Sequence, residues 1–152
     1  MVKIKKRLLR TAQVARALGK VALTVNNPYK MGKVALRAAR GKGVVYPGSA
    51  YIGPGNEIKS GGKRATSGAD RAAYQHDLDY GKLLDRGVGA RRLYTGYSAA
   101  DSRLMKRVDP TTEAGMAVYL GIGAKKLAWK LGLTGKKIKD RPSKKAAKKK
   151  KK

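Results

Sequence analysis

Positive charge is distributed so unevenly along this 152-residue chain that only its middle has the composition of a folded core. Residues 1–45 carry 12 Lys or Arg and no acid, and residues 136–152 carry 11 against one Asp. Residues 46–135 carry 14 against eight acids, a balance closer to that of a globular domain. We therefore predict a basic amphipathic N-terminal arm (1–45), a single domain (46–133) and a disordered Lys-rich tail (134–152). Both arms would bind polyanions, either nucleic acid or anionic lipid.

The composition also excludes some classes of site. Cysteine is absent, which excludes disulfides and thiolate metal sites but leaves calcium and magnesium open. The longest apolar run, residues 114–124, has 11 residues, whereas a membrane-spanning helix needs about 20. Arg10, Arg16 and Lys20 interrupt the apolar residues near the N-terminus, so we expect no secretory signal there and interpret this segment as part of the mature protein.

Periodicity and capping signals predict a mainly α fold. The apolar spacing from Ile4 to Ala22 predicts a basic amphipathic helix, either a flexible or partner-bound arm, a membrane-surface helix or a nucleic-acid contact. A second basic helix is expected over 30–40. The domain itself is predicted to contain a glycine-rich loop over 49–68 and helices over 70–85, 98–108 and 109–131. We expect Ser67 or Asp70 to begin the first of these, a capping box at Ser98 to begin the second, and Asp109 with Pro110 to begin the third.

Polar groups converge on the helix predicted over 70–85. His76, the only histidine, lies one turn from Tyr80, and Asp77 is rotated from His76 by about 100°. Upstream, the alternate glycines Gly53 and Gly55 permit backbone angles that turn carbonyl oxygens toward one point. Calcium accepts such carbonyls together with a carboxylate. The pattern therefore predicts a Ca²⁺ site that uses the following four residues: Tyr51, Gly53, Gly55 and Asp77.

Several of these motifs together resemble one known family. The loop YIGPGN (51–56), the helix motif HDLDY (76–80) with Asp70 six residues before its histidine, and the later YSAAD (97–101) are similar to the phospholipase A2 domain of parvoviral minor capsid proteins. That domain is related to the secreted calcium-dependent phospholipases A2. The resemblance covers about residues 46–133 and implies a small phospholipase A2-like helical domain with a calcium-binding loop and antiparallel catalytic helices.

The resemblance also implies roles for individual side chains. His76 would be the general base that activates water, and Asp101 would hold its other ring nitrogen. Tyr80 and Tyr97 would orient Asp101. A bound Ca²⁺ would bind the lipid phosphate and polarise the sn-2 ester. The implied activity is calcium-dependent hydrolysis of the sn-2 ester of glycerophospholipids, in a viral protein that helps to breach a membrane.

Partners and location follow from the resemblance and the charge. We expect a phospholipid membrane surface as substrate and partner, with DNA or RNA held by the Lys-rich tail and the N-terminal arm, and other virion proteins as further partners. The implied location is the virion, with action at host endosomal or other membranes and with the Lys-rich tail directing the protein to the host nucleus. The alternative is a non-catalytic basic protein that binds or packages nucleic acid on a phospholipase A2-like scaffold. A solubilising role for the tail is also open.

Overall fold

The computed structural model describes residues 2–40, 44–54, 62 and 64–139 of the chain. Gly55, a predicted metal ligand, lies outside the described residues. So do residues 140–152, which make up most of the predicted tail. The described chain forms six helices: α1 (Val2–Val25), α2 (Pro28–Ala39), α3 (Gly68–Asp85), α4 (Ala90–Thr95), α5 (Ala99–Arg107) and α6 (Glu113–Lys130). Across the described ranges the only β pairing is an isolated bridge between Ser98 and Ile138. The predicted mainly α fold is confirmed.

Helix α3 lies at the centre of the domain and packs against both α5 and α6. Its alanine-rich side meets the loop before it and the apolar faces of the other two helices. This main core consists of Tyr51, Ile52, Ala69, Ala72, Ala73, Leu104, Val108 and Val118. Small side chains on α3 let its backbone approach its neighbours closely, which brings the polar groups of α3 and α5 within hydrogen-bonding reach.

Local capping decides where the central helices begin. Ser67 accepts a hydrogen bond from the Asp70 amide, and Ser98 forms a full capping box with Asp101. Both caps were predicted from sequence. The predicted start of α6 was wrong: its N-cap is Thr112, because the Asp109 carboxylate instead accepts bonds from the amide and hydroxyl of Thr111 and holds a turn there.

Helix α1, the first part of the predicted N-terminal arm (1–45), packs against α6. Ala17 and Val21 form a small core with Met116. Beside it, the Thr24 hydroxyl donates to the Glu113 carboxylate at 2.6 Å, and a second donor, the Tyr46 hydroxyl, reaches the same oxygen at 2.8 Å. No helix among the described residues is long and apolar enough to cross a membrane.

A second apolar cluster closes the far end of α3. It contains Tyr80, Leu83, Leu93, Ala100 and Ile138. Ile138 lies in the segment predicted as a tail, yet it is only 4% exposed. Its amide donates to the Tyr97 carbonyl at 2.9 Å, and its carbonyl accepts from the Ala99 amide at 3.0 Å. The chain is thus fastened to the start of α5 well beyond residue 133, the predicted end of the domain.

Candidate active site

The lone histidine is paired with a buried carboxylate across two helices. The Nε2 atom of His76, on α3, lies 2.8 Å from Oδ1 of Asp101, on α5. Asp101 is 0% exposed and ionised, so Nε2 carries the proton and donates a hydrogen bond to the carboxylate. The Nδ1 atom is then left without a proton and can act as a base.

Asp101 is held by more groups than its histidine partner alone. The Tyr80 hydroxyl donates to Oδ1 at 2.7 Å. The amide and hydroxyl of Ser98 donate to Oδ2 at 2.7 and 2.8 Å. Asp101 is also the N3 residue of the capping box that starts α5. The capping box therefore fixes the orientation of the carboxylate that faces His76.

The structure does not bring Tyr97 to Asp101. The Tyr97 hydroxyl lies 3.1 Å from the Ser102 hydroxyl, and its ring stacks on Trp129. The ammonium group of Lys125, on α6, occupies the place expected for Tyr97. It lies 3.2 Å from both carboxylate oxygens of Asp101. Sequence reasoning missed Lys125, since nothing in the local pattern around residue 125 distinguishes it from the many other lysines.

The charges of the site follow from these contacts. Burial opposes ionisation of Asp101, but the hydrogen bond from His76 and the charge of Lys125 bring its pKa down to about 2. Burial likewise opposes the imidazolium, yet Asp101 and Asp77 together raise the pKa of His76 above its ordinary value. Burial and the adjacent carboxylate raise the pKa of Tyr80, so this hydroxyl keeps the proton that it donates.

Asp70 attaches the glycine-rich loop to the catalytic helix. Its carboxylate is fully buried and accepts from the amides of Ala50 (3.0 Å), Tyr51 (2.7 Å) and Thr66 (2.9 Å). The two ends of the loop are thereby tied to the first turn of α3. Gly53 lies inside the loop at φ +139°, and a Cβ atom there would lie 2.0 Å from the Val44 carbonyl oxygen. Only glycine fits this position.

A cavity of about 310 Å³ opens beside His76. It is bounded by the loop on one side and by α6 on the other, and most of its wall is apolar: Ile52, Ala73, Leu104, Val118 and Ile122. Tyr51, Gly53 and Asp77 line it as well. The cavity therefore combines space for an apolar chain with a base and a carboxylate at one end.

Asp77 lines this cavity with one carboxylate oxygen that no described residue satisfies. Its Oδ2 atom is buried and accepts no hydrogen bond within the part of the chain that the structure describes. Its other oxygen lies 3.7 Å from Nδ1 of His76. Burial raises the pKa of Asp77, and the neighbouring histidine offsets part of this effect. A bound cation would satisfy the orphaned oxygen and favour the charged carboxylate.

The surroundings of Asp77 fit calcium better than a transition metal. The described ranges hold no group of three or more His, Asp or Glu side chains that could bind a metal. Among the described residues, Asp77 would therefore be joined by main-chain oxygens rather than by further carboxylates, a mixed donor set that Ca²⁺ accepts. Tyr51 and Gly53, two of the predicted ligands, line the same cavity as Asp77, whereas Gly55, the remaining predicted ligand, lies outside the described residues.

In a comparison with known proteins, residues 42–122 match the model of a family described as "Phospholipase A2-like domain". The chain is 35% identical over 78 residues to capsid protein VP1 of porcine parvovirus (strain NADL-2), covering 51% of this chain and 10% of that protein. It is 38% identical over 84 residues to capsid protein VP1 of murine minute virus (strain MVM prototype), covering 55% and 10%.

The protein from feline panleukopenia virus, also capsid protein VP1, is 36% identical over 85 residues, with 56% of this chain and 11% of the viral protein covered. The chain thus spans about a tenth of the length of the curated relatives that it matches. No solved structure matches it.

Proposed function

Because this chain belongs to the family of phospholipase A2-like domains, we propose that it is a calcium-dependent phospholipase A2, which hydrolyses the sn-2 ester of glycerophospholipids. The observation that carries this proposal is the hydrogen bond of 2.8 Å between the lone histidine and a fully buried carboxylate at the end of a largely apolar cavity. A histidine in this setting has its tautomer fixed and its free nitrogen directed to bound substrate.

The proton transfers follow from the tautomer. Asp101 holds the proton on Nε2, so Nδ1 of His76 removes a proton from a water molecule as the water oxygen attacks the sn-2 carbonyl carbon. The imidazolium that forms is stabilised by the Asp101 carboxylate. When the ester C–O bond breaks, His76 returns the proton to the leaving glycerol oxygen. The products are a free fatty acid and a lysophospholipid, and no covalent enzyme intermediate is required.

Calcium would be held by the Asp77 carboxylate with the main-chain oxygens of Tyr51, Gly53 and Gly55. When bound, it supplies positive charge for the lipid phosphate and for the oxyanion that develops on the ester carbonyl. Asp70 serves this site indirectly, since it fixes the loop against α3 and so sets the distance between Tyr51 and Asp77.

Two features support a membrane surface as the substrate. On the outer side of α6, Leu120, Leu127 and Leu131 share one face and are exposed, Leu131 to 65%. The net charge of +28 attracts the chain to anionic bilayers, where each basic residue near the surface contributes about 1 kcal/mol. Exposed leucines beside lysines are typical of interfacial helices.

The relatives support a viral setting. They are named as capsid proteins, so we place this protein in the virion, with other virion proteins as partners. Its action would follow uptake, when it breaches an endosomal or other host membrane, and its Lys-rich tail would direct it to the host nucleus.

One observation favours a second function, the binding of nucleic acid. Residues 1–45 hold no acidic side chain, and the last five residues are all lysine. Such blocks bind DNA or RNA by counterion release, independently of the cavity. The non-catalytic alternative is a packaging protein that uses only these basic segments.

Fatty acid release from phospholipid vesicles decides between the enzyme and the scaffold. We expect the wild-type protein to release sn-2 fatty acid in the presence of Ca²⁺ and to stop when the ion is chelated. His76→Ala removes the base and should lower kcat by about 10² to 10⁴. DNA binding by His76→Ala should equal that of the wild type, which shows that the basic segments are intact, and circular dichroism of both proteins provides the control for folding. Equal hydrolysis by the two proteins, or full activity in excess chelator, would refute the proposed enzyme.

A further inference from the structure

One lysine belongs to the polar network of the site rather than to the basic surface. Lys125 is only 18% exposed, and its ammonium group contacts both oxygens of Asp101 at 3.2 Å. It also donates to the Leu93 carbonyl at 3.2 Å and to the Tyr80 hydroxyl. The ammonium therefore contacts buried acceptors on three other helices.

These contacts place Lys125 at the point where the active-site elements meet. Asp101 belongs to α5, Tyr80 to α3, Leu93 to α4 and Lys125 itself to α6. Withdrawing this cation from water is costly: burial lowers the pKa of the Lys125 ammonium, and the Asp101 carboxylate offsets part of that shift. The contacts also satisfy the acceptors, each of which would be left without this donor if the lysine were removed. The position lies three residues beyond the segment that matches the family model, which ends at residue 122.

We propose that Lys125 is a positioning residue, which fixes the Asp101 carboxylate and thereby the orientation of the His76 imidazole that is hydrogen-bonded to it. The ammonium contacts both carboxylate oxygens, so Asp101 cannot rotate away from the imidazole without breaking a charge-assisted bond. Its charge also contributes, after the hydrogen bond from His76, to the low pKa of Asp101. Tyr97, expected from sequence to share this role with Tyr80, has its hydroxyl on Ser102 instead.

The expected change in kcat rests on the proposed hydrolysis. The expected change in the orientation of Asp101 and His76 does not. Lys125→Met retains the length and apolar stem of the side chain and removes the charge. We expect kcat to fall about 10- to 100-fold, as is usual when the support of a catalytic group is lost, with KM unchanged. Lys125→Arg should restore most of kcat, because a guanidinium can bridge two carboxylate oxygens.

Lys126→Met is the matched control, because it removes one lysine from the same helix and so lowers attraction to the membrane by the same charge. It should retain wild-type kcat. A rise in KM for Lys125→Met with kcat preserved would overturn the proposal, since it would show that Lys125 binds the lipid directly. The proposal also fails if Lys125→Met and Lys126→Met behave alike.

A spectroscopic readout separates this inference from the proposed function. His76 is the only histidine, so both imidazole signals in a ¹⁵N NMR spectrum come from this residue, and their couplings to the ring protons distinguish Nδ1 from Nε2. In the wild type we expect a protonated Nε2 and a downfield Nε2–H signal from the bond to Asp101. Lys125→Met should shift or broaden this signal at a fixed pH, and Lys125→Arg should restore it. An unchanged signal would refute the positioning role, even if the wild-type protein releases no fatty acid.

Discussion

Two carboxylates flank His76, and they differ in what satisfies them. Asp101 is enclosed by donors from Ser98, Tyr80, Lys125 and the histidine itself, so its negative charge is stable inside the protein. Asp77 has a buried oxygen that no described group satisfies. A fully satisfied carboxylate suits the orientation of an imidazole, and an under-satisfied one suits the binding of a cation. The same residue type therefore has two roles, which its neighbours determine.

The calcium role of Asp77 can be tested without reference to catalysis. Asp77→Asn should abolish Ca²⁺ binding measured by isothermal titration calorimetry, because calcium prefers a charged oxygen ligand. In the absence of calcium, we expect the variant to unfold at the same temperature as the wild type or a higher one, since it no longer buries an unsatisfied charge. Saturating calcium should raise the Tm of the wild type only.

Asp85→Asn is the matched control for Asp77→Asn. Asp85 is exposed at the end of the same helix, so its substitution removes one negative charge from α3 without affecting the cavity. We expect it to bind calcium as the wild type does. Equal weakening by both substitutions would mean that net charge, rather than coordination by Asp77, governs the affinity.

At the scale of elements, the site depends on a loop whose backbone cannot accept a side chain. Gly53 faces the Val44 carbonyl, and the amide of Val44 donates to the Pro54 carbonyl at 3.0 Å. The loop is thus folded back on the segment that precedes it. The amides of Ala50 and Tyr51 donate to the Asp70 carboxylate and so attach the loop to α3. The backbone around Tyr51 and Gly53 is held from both sides before any ion binds.

Two glycine substitutions test whether this close approach matters. Gly48→Ala introduces a Cβ at φ +83° with nothing within 4 Å, so it should cost only the strain of a left-handed residue, about 1 to 2 kcal/mol. Gly53→Ala must in addition displace the Val44 backbone. We expect it to lower the free energy of unfolding by more than Gly48→Ala does, as measured by denaturant titration. It alone should weaken calcium binding, and an equal effect of the two substitutions would contradict the proposed role of the loop.

The helices also show which features a sequence can predict. Ser67 and Ser98 were found because a cap and its partner lie three residues apart, so the signal is local. The start of α6 was misplaced because Asp109 has two local options, a helix cap or a turn with Thr111, and the turn formed. Helix α4 was missed because its six residues carry no cap signal and depend on the complete burial of Leu93 in a core formed by distant residues.

The same distinction applies to the site. The pairing of His76 with Asp101 was inferred from a family resemblance, because no local pattern connects residues on separate helices. The proximity of Tyr80 to His76 follows from their spacing of one turn. Lys125 and the loop contacts of Asp70 arise from packing between elements, so the sequence alone did not predict them.

At the scale of the whole molecule, the basic segments are not separate from the domain. Helix α1 is packed on α6 through Ala17 and Val21, and Ile138 is buried at the other end. Basic charge that faces solvent is therefore presented by a folded body, and at least part of the predicted arms adds to its core. The described part of the chain ends at Lys139, so the contribution of the predicted tail to the core extends at least as far as Ile138.

This boundary gives a truncation that separates nucleic-acid binding from catalysis. Deletion of residues 140–152 removes eight Lys or Arg and leaves Ile138 in place. If the tail neutralises DNA phosphates, the slope of log K against log salt should become shallower by up to about 7. Fatty acid release from uncharged vesicles should be unchanged, because no residue of the cavity is lost. Fluorescence anisotropy of labelled duplex DNA over a series of salt concentrations measures the first quantity.

A second truncation provides the control for stability. Deletion of residues 136–152 also removes Ile138, whose side chain fills the cluster around Leu93 and whose backbone bonds to Tyr97 and Ala99. Loss of a buried isoleucine costs about 2 to 5 kcal/mol, so this shorter protein should have a lower Tm. Its hydrolysis should also be reduced, since Asp101 follows Ala99, which loses its contact with Ile138, within the first turn of α5. The longer protein, ending at Lys139, should melt as the full chain does. If both truncations melt alike, Ile138 does not support α5, and if neither changes the salt slope, the tail does not contact the phosphates.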